Sequence, residues 1–124
     1  MSFLALRAYL VLIRFELCLA RGDFQALYSK VRVCPITEIP TSVDSTALIC
    51  SAVDMACIWY WKEVLCLQRS AATACLLKRY GVQARMVIGA RRIPFGAHAW
   101  VEVDGRVVND KPYVREIYAV LDQC

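Results

Sequence analysis

The spacing of hydrophobic positions changes along this chain, and each change marks a predicted element. From residue 3 to 20 apolar residues recur at helical spacing, with Leu6, Leu10, Ile13 and Leu17 on one stripe and Arg7, Arg14 and Arg21 mostly off it. That pattern predicts an amphipathic helix. Gly22-Asp23 ends it, and Asp23 is placed to cap a short second helix reaching about Val31. Pro35 and Pro40 make residues 34–41 an extended connector. Thr41 or Ser42 then caps a third helix running to about Trp59. It is apolar on most faces, so it is expected to be largely buried.

The second half changes character. Residues 66–80 predict a helix of good helix formers, with Gly81 in the position that follows a helix C-terminus. Residues 82–90 are β-branched and alternating enough for a strand, and 91–96 form a loop holding Pro94. Residues 97–103 and 106–110 predict a hairpin around Asp104-Gly105. The tail from Tyr113 predicts one short helix or strand. Helices followed by a small antiparallel sheet make the expected class α+β. With 124 residues there is enough chain for one core and too little for two, so a single domain over 1–124 is expected.

Composition narrows the classes. The chain is 59% apolar, yet a membrane span needs about 20 nearly uncharged apolar residues. Arg7, Arg14 and Glu16 interrupt the first apolar stretch and Asp54 the next. The start also lacks the basic region and small-residue cleavage site of a signal peptide. Seven cysteines without such a signal predict free thiols in a reducing, cytoplasmic setting. There is no Cys-x-x-Cys pair and only one histidine, so a structural zinc site is not expected. The net charge of +4 is modest and spread without aromatic interleaving. That weighs against nucleic-acid binding and suits an acidic peptide at least as well. The apolar excess reads as core plus partner-binding surface.

Two residues carry the candidate chemistry. A thiol attacks a carbonyl as thiolate, and both a helix N-terminus and a nearby imidazole favour that form. Cys66 stands at the predicted start of a helix, where unpaired N–H groups and the macrodipole favour negative charge. Cys50, Cys57 and Cys75 fall inside helices, and Cys34 and Cys124 in loop or tail. His98 is the only histidine, so any Cys–His catalysis must use it. It opens an alternating strand just after a Pro/Gly loop. The plainer alternatives are a buried helix-start cysteine and a structural histidine.

A third residue is needed to hold the imidazole. With a two-residue Asp104-Gly105 loop, Val103 pairs with Arg106 and Asp110 falls on the face opposite His98. With a three-residue loop and Gly105 in a G1 bulge, Glu102 faces Arg106 and His98 faces Asp110. The second register is chemically sensible at both ends, and it favours Asp110 over Asp104. An oxyanion hole would use the Cys66 N–H and a further group within 59–65 that the sequence does not identify. Trp59-Tyr60-Trp61 reads as core or as the wall of a substrate groove, with core preferred. Arg69, Arg91 and Arg92 read as solvated charge or as contacts to an acidic substrate.

The run Cys66-Leu-Gln-Arg-Ser70, then Leu77-Lys-Arg-Tyr-Gly81-Val, Val87-Ile-Gly89, Pro94-Phe-Gly-Ala-His98-Ala-Trp-Val-Glu102 and Asn109-Asp110 resembles the lasso peptide biosynthesis B2 proteins, which are transglutaminase-like leader peptidases. The similarity covers roughly residues 60 to 110. It implies a papain-like/transglutaminase-like fold, a Cys66–His98–Asp110 triad and no cofactor. The implied reaction is hydrolysis of the bond joining leader to core in a ribosomally made precursor peptide. The implied partners are that precursor's leader region, a separate leader-recognition protein and the ATP-dependent lasso cyclase, with no nucleic acid. On this reading residues 1–60 form the helical partner- and leader-binding part and 61–124 the catalytic core. The chain is too short to carry a fused recognition domain, so the split form is expected. A transglutaminase-like acyl transferase and a non-catalytic leader-binding scaffold remain the alternatives.

Overall fold

The computed structural model describes residues 3–22, 24–36, 44–92 and 94–124. The expected caps at Asp23, Thr41 and Ser42, and Pro40 of the connector, lie outside the described residues. Helix α1 spans Phe3–Ala20, α2 Phe24–Val33, α3 Asp44–Trp59 and α4 Cys66–Arg79. Strands β1 (Ala84–Arg91), β2 (Gly96–Val103) and β3 (Arg106–Val107) follow, then a short α5 (Val114–Ile117) and β4 (Ala119–Gln123). The tail therefore holds both a helix and a strand, where one or the other was expected. All strand pairs are antiparallel, in the order β3-β2-β1-β4.

Helix α4 is the centre of the molecule. Every residue from Gln68 to Lys78 except Arg69 is buried. One side meets α1, α2 and α3, and another meets β1 and β2. Four polar side chains go in with it, and each finds a partner. Gln68 Nε2 donates to the Leu12 carbonyl at 2.8 Å, Ser70 Oγ to Ala99 O at 3.0 Å, Thr73 Oγ1 to Arg69 O at 2.8 Å and Lys78 Nζ to Val31 O at 2.8 Å. Buried polar groups are tolerated only when paired in this way. The helix ends as its sequence predicts. Gly81 takes φ +84°, Gly81 N–H reaches Lys78 O and Val82 N–H reaches Leu77 O, the paired bonds of a Schellman turn.

Helix α1 buries a different stripe from the expected one. Ala5, Ala8, Val11, Leu12, Phe15 and Cys18 face the core, while Leu6, Leu10 and Leu17 are exposed and Ile13 is half-buried. Apart from Arg7, Arg14 and Glu16 the helix is apolar, with leucines and alanines on different stripes, so periodicity alone cannot choose the inward face. The choice falls to close packing, because Ala5 and Ala8 are small enough to let neighbouring helices approach. Polar contacts reinforce it: Arg7 donates to Tyr80 Oη at 2.9 Å, and Glu16 accepts from Tyr60 Oη at 2.5 Å.

Helix α3 is likewise less buried than its composition predicts. Ile49, Ala52, Val53 and Ala56 pack inward. Leu48, Met55, Ile58 (76% exposed) and Trp59 face outward. The aromatic cluster divides in the same way: Tyr60 is core, but Trp59 and Trp61 are 63% and 68% exposed. The core preferred for all three holds for Tyr60 alone.

Candidate active site

Cys66 is the first residue of α4. The residue before it, Leu65, is extended (φ −73°, ψ 153°) and caps with no side chain. A Ser or Asp there would stabilise the helix by about 1 kcal/mol, but it would occupy an N–H of the first turn. Leu65 leaves those donors unoccupied by a side chain, and the first turn holds no acidic residue. The helix thus presents partial positive charge beside the Cys66 sulfur.

His98 lies on β2 opposite Gly89 of β1. Its ring sits beside Trp100 and Tyr118, with centroids 6.1 and 5.3 Å away. Trp100 is fully buried and donates its indole N–H to Glu102 at 2.8 Å; Glu102 also pairs with Arg115 at 3.1 Å. Gly89 makes this shelf possible. A Cβ there would meet the Trp100 ring at 2.7 and 2.8 Å and Tyr118 Cβ at 2.9 Å. Glu102 therefore serves Trp100 and Arg115, and does not face Arg106 as the sequence suggested.

Cys66 and His98 line one pocket of about 130 Å³, whose other walls are Phe24, Leu67, Ile88, Ala97 and Ala99. No hydrogen bond joins the sulfur to the ring. A larger hollow of about 580 Å³ also holds a thiol, Cys124, beside Lys78, Glu102 and Arg115. The only histidine lies elsewhere, so no thiol–imidazole pair forms there. Burial pushes the Cys50 thiol up to about 11 and pushes Cys57, Cys75 and Cys124 upward as well. These thiols are held in the unreactive protonated form.

Asp110 bonds His98 Nε2, but not through the register first expected. The hairpin loop is the two-residue Asp104-Gly105, with φ +52° and +76°, and Val103 pairs with Arg106. Two consecutive left-handed residues make this the tight turn matched to strand twist, which displaces the three-residue G1-bulge loop. Continued ladder pairing would set Asp110 opposite Ala99, on the α4 side of the sheet and away from His98. Pairing instead stops at Val107, and the chain bends through 108–110 to bring the carboxylate to the ring. Burial acts to raise the Asp110 carboxyl. The bonds from His98 and the Lys111 N–H (2.7 Å), with the Arg69 charge nearby, outweigh it and hold the carboxyl below its usual range.

The bond to Nε2 fixes the ring's orientation. An ionised carboxylate only accepts, so Nε2 is the donor in this bond, and in the neutral ring Nδ1 is then the nitrogen that holds the lone pair. Arg69, read as solvated or substrate-facing, instead donates to Asp54 at 2.8 Å and to the Asn109 carbonyl at 3.1 Å. Gln68, two residues after Cys66, spends its amide on Leu12 O and Tyr60 Oη and offers no donor to the pocket. Among the described residues no group of three or more His, Cys, Asp or Glu is placed to hold a metal, and no helix is long and apolar enough to cross a membrane.

The family model for the transglutaminase-like superfamily matches residues 9–123. The chain belongs to the transglutaminase-like superfamily. A relative, the microcin J25-processing protein McjB of Escherichia coli, is 43% identical over 56 residues. That match covers 45% of this chain and 27% of the relative's length. It supports, over that part, the resemblance to lasso peptide biosynthesis B2 proteins drawn from the motifs. No solved structure matches the chain. The α+β architecture, helices packed on a four-stranded antiparallel sheet, is that of a transglutaminase-like domain.

Proposed function

We propose that this transglutaminase-like domain is a cysteine peptidase that removes the leader from a ribosomally made lasso precursor peptide. The observation that carries the reading is one pocket lined by a helix-start thiol and by an imidazole whose Nε2 is held by a carboxylate. On this reading Cys66, His98 and Asp110 are the catalytic triad. His98 Nδ1 takes the Cys66 proton, and the sulfur attacks the scissile carbonyl carbon. The resulting oxyanion meets the Cys66 backbone N–H at the uncapped start of α4. Collapse breaks the C–N bond, and His98 protonates the departing amine of the core peptide. A thioester to the leader remains. His98 then deprotonates a water, which attacks the thioester and frees the leader carboxylate and the thiol. Asp110 keeps the ring in the tautomer that these transfers require.

Processing of a precursor in this pathway fits the relative's name; the bond cut and the triad are our reading. The pocket walls are apolar, which suits an aliphatic side chain next to the scissile bond. Residues 61–124 then form the catalytic part, and residues 1–60 offer the exposed Leu6, Leu10, Leu17, Leu48 and Ile58 to a leader or a separate leader-recognition protein. The freed core would pass to an ATP-dependent cyclase. Seven free thiols suit a cytoplasmic setting.

The test is incubation of the chain with candidate leader–core peptides, with and without the recognition protein, read by mass spectrometry. The expected products are leader and core whose masses sum to the precursor plus one water. A product gaining an amine would favour an acyl transferase. An intact precursor under every combination, with binding retained, would favour a scaffold.

A further inference from the structure

Strand β3 is only two residues long, and the reason lies in the side chain of Asn109. Val108 N–H reaches Val101 O at 3.0 Å, the bond of a continuing ladder. The reciprocal bond, Val101 N–H to the Val108 carbonyl, is replaced: Val101 N–H donates to Asn109 Oδ1 at 2.7 Å. The other end of the same amide, Nδ2, donates to Ser70 Oγ at 3.1 Å, and Ser70 in turn donates to Ala99 O. The Asn109 carbonyl accepts from Arg69 at 3.1 Å. One residue is thus held by β2 through its acceptor, by α4 through its donor and again by α4 through its backbone. The next residue along the chain is Asp110.

We propose that Asn109 is a positioning residue: its amide stands in for the strand ladder, ties the helix bearing Cys66 to the strand bearing His98, and turns Asp110 onto the His98 ring. If the chain kept to backbone pairing, Asp110 would meet Ala99 on the wrong side of the sheet. An acceptor on a side chain satisfies Val101 N–H while the main chain leaves the strand early. Only a side chain with acceptor and donor on one planar group can bond Val101 N–H and Ser70 Oγ together while Ser70 keeps its own bond to Ala99. Ser70 is the second positioning residue, since it carries the link into α4.

The inference rests on the peptidase reading for its catalytic meaning, but its test is independent of substrate. His98 is the sole histidine, so protein labelled with 15N at histidine gives one imidazole to follow. In the unaltered chain its Nε2–H, shared with a carboxylate, should appear far downfield and exchange slowly. Asn109→Ala should shift that signal upfield and broaden it, and slow alkylation of Cys66 by iodoacetamide about tenfold or more. Asp110→Ala should do the same. The double variant should be no slower than Asp110→Ala alone, because Asn109 acts through Asp110. Ser70→Ala removes one link and favours the helix, so it tests the same cycle should Asn109→Ala not fold. A folded Asn109→Ala or Ser70→Ala with the downfield signal intact would overturn the proposal, as would a double variant whose losses multiply. Precursor cleavage that survives Cys66→Ala would instead remove the peptidase reading and leave the positioning result standing.

Discussion

Helices α4 and α3 are of similar length and both rich in alanine and larger aliphatic residues, but the molecule uses them differently. Helix α4 buries almost all of its surface, and each polar residue it carries inward meets a named acceptor, on another element for Gln68, Ser70 and Lys78 and on α4 itself for Thr73. Helix α3 buries one narrow face and leaves Leu48, Met55, Ile58 and Trp59 to solvent. Helix α1 shares that trait through Leu6, Leu10 and Leu17. A helix whose every side has an internal partner is specified by the domain's own fold. A helix with an apolar side facing out carries surface that the domain's core does not need. On our reading the first kind holds the chemistry in place and the second recruits a partner.

Substitutions in the two regions should therefore separate activity, stability and binding. The largest effect is expected at Cys66. Cys66→Ala should lower precursor cleavage by about a thousandfold or more, while the denaturant midpoint changes little. Next comes Gly89→Ala, which drives a methyl into the buried Trp100 ring beneath His98. Overpacking of this kind should cost about 1–3 kcal/mol, read from urea unfolding. Ile58→Glu and Leu10→Glu, on the exposed side, should leave stability within about 0.5 kcal/mol. They should weaken capture of the leader-recognition protein in a pull-down by about tenfold, or 1.4 kcal/mol. Unchanged capture would count against the surface assigned to residues 1–60.

Smaller effects follow from titration. The Asp110 carboxyl is held low in the folded chain, so its contribution to stability is present above the unfolded value of about 3.9 and is lost as pH falls below it. Asp110→Asn should flatten that part of the acid unfolding curve. Cys50 behaves oppositely. Its folded value, raised to about 11 from 9.0, means its contribution is complete below pH 9.0 and fades as pH rises toward 11. Cys50→Ala should remove that alkaline slope, as followed by circular dichroism.

The same contrast explains what the sequence revealed. Helix α4 was legible at both ends, because Gly81 marks the stop and the run of alanine and leucine after Cys66 marks the start. His98 stood out as the sole histidine beginning an alternating strand. The inward face of α1 was not legible: leucine stripes and alanine stripes are both apolar, and the close approach that selects alanine is a property of the packed pair. Asp110 does meet the His98 ring, but not through the register that suggested it. Hairpin arithmetic counts backbone pairs, while here the side chain of Asn109 takes a ladder bond and releases the chain. Ser70, Asn109 and Trp100 belonged to the motif that carried the family resemblance, but nothing in their spacing disclosed their bonds. Phe24, which walls the pocket, gave no signal at all.

The central claim is that Cys66 is a nucleophile made reactive by α4 and His98. Site-resolved iodoacetamide labelling of the whole chain near pH 6 tests it directly. The account predicts that Cys66 is alkylated well before Cys124 and Cys50, and that His98→Ala removes this lead. Labelling of Cys66 no faster than Cys124, or a lead untouched by loss of the imidazole, would contradict it.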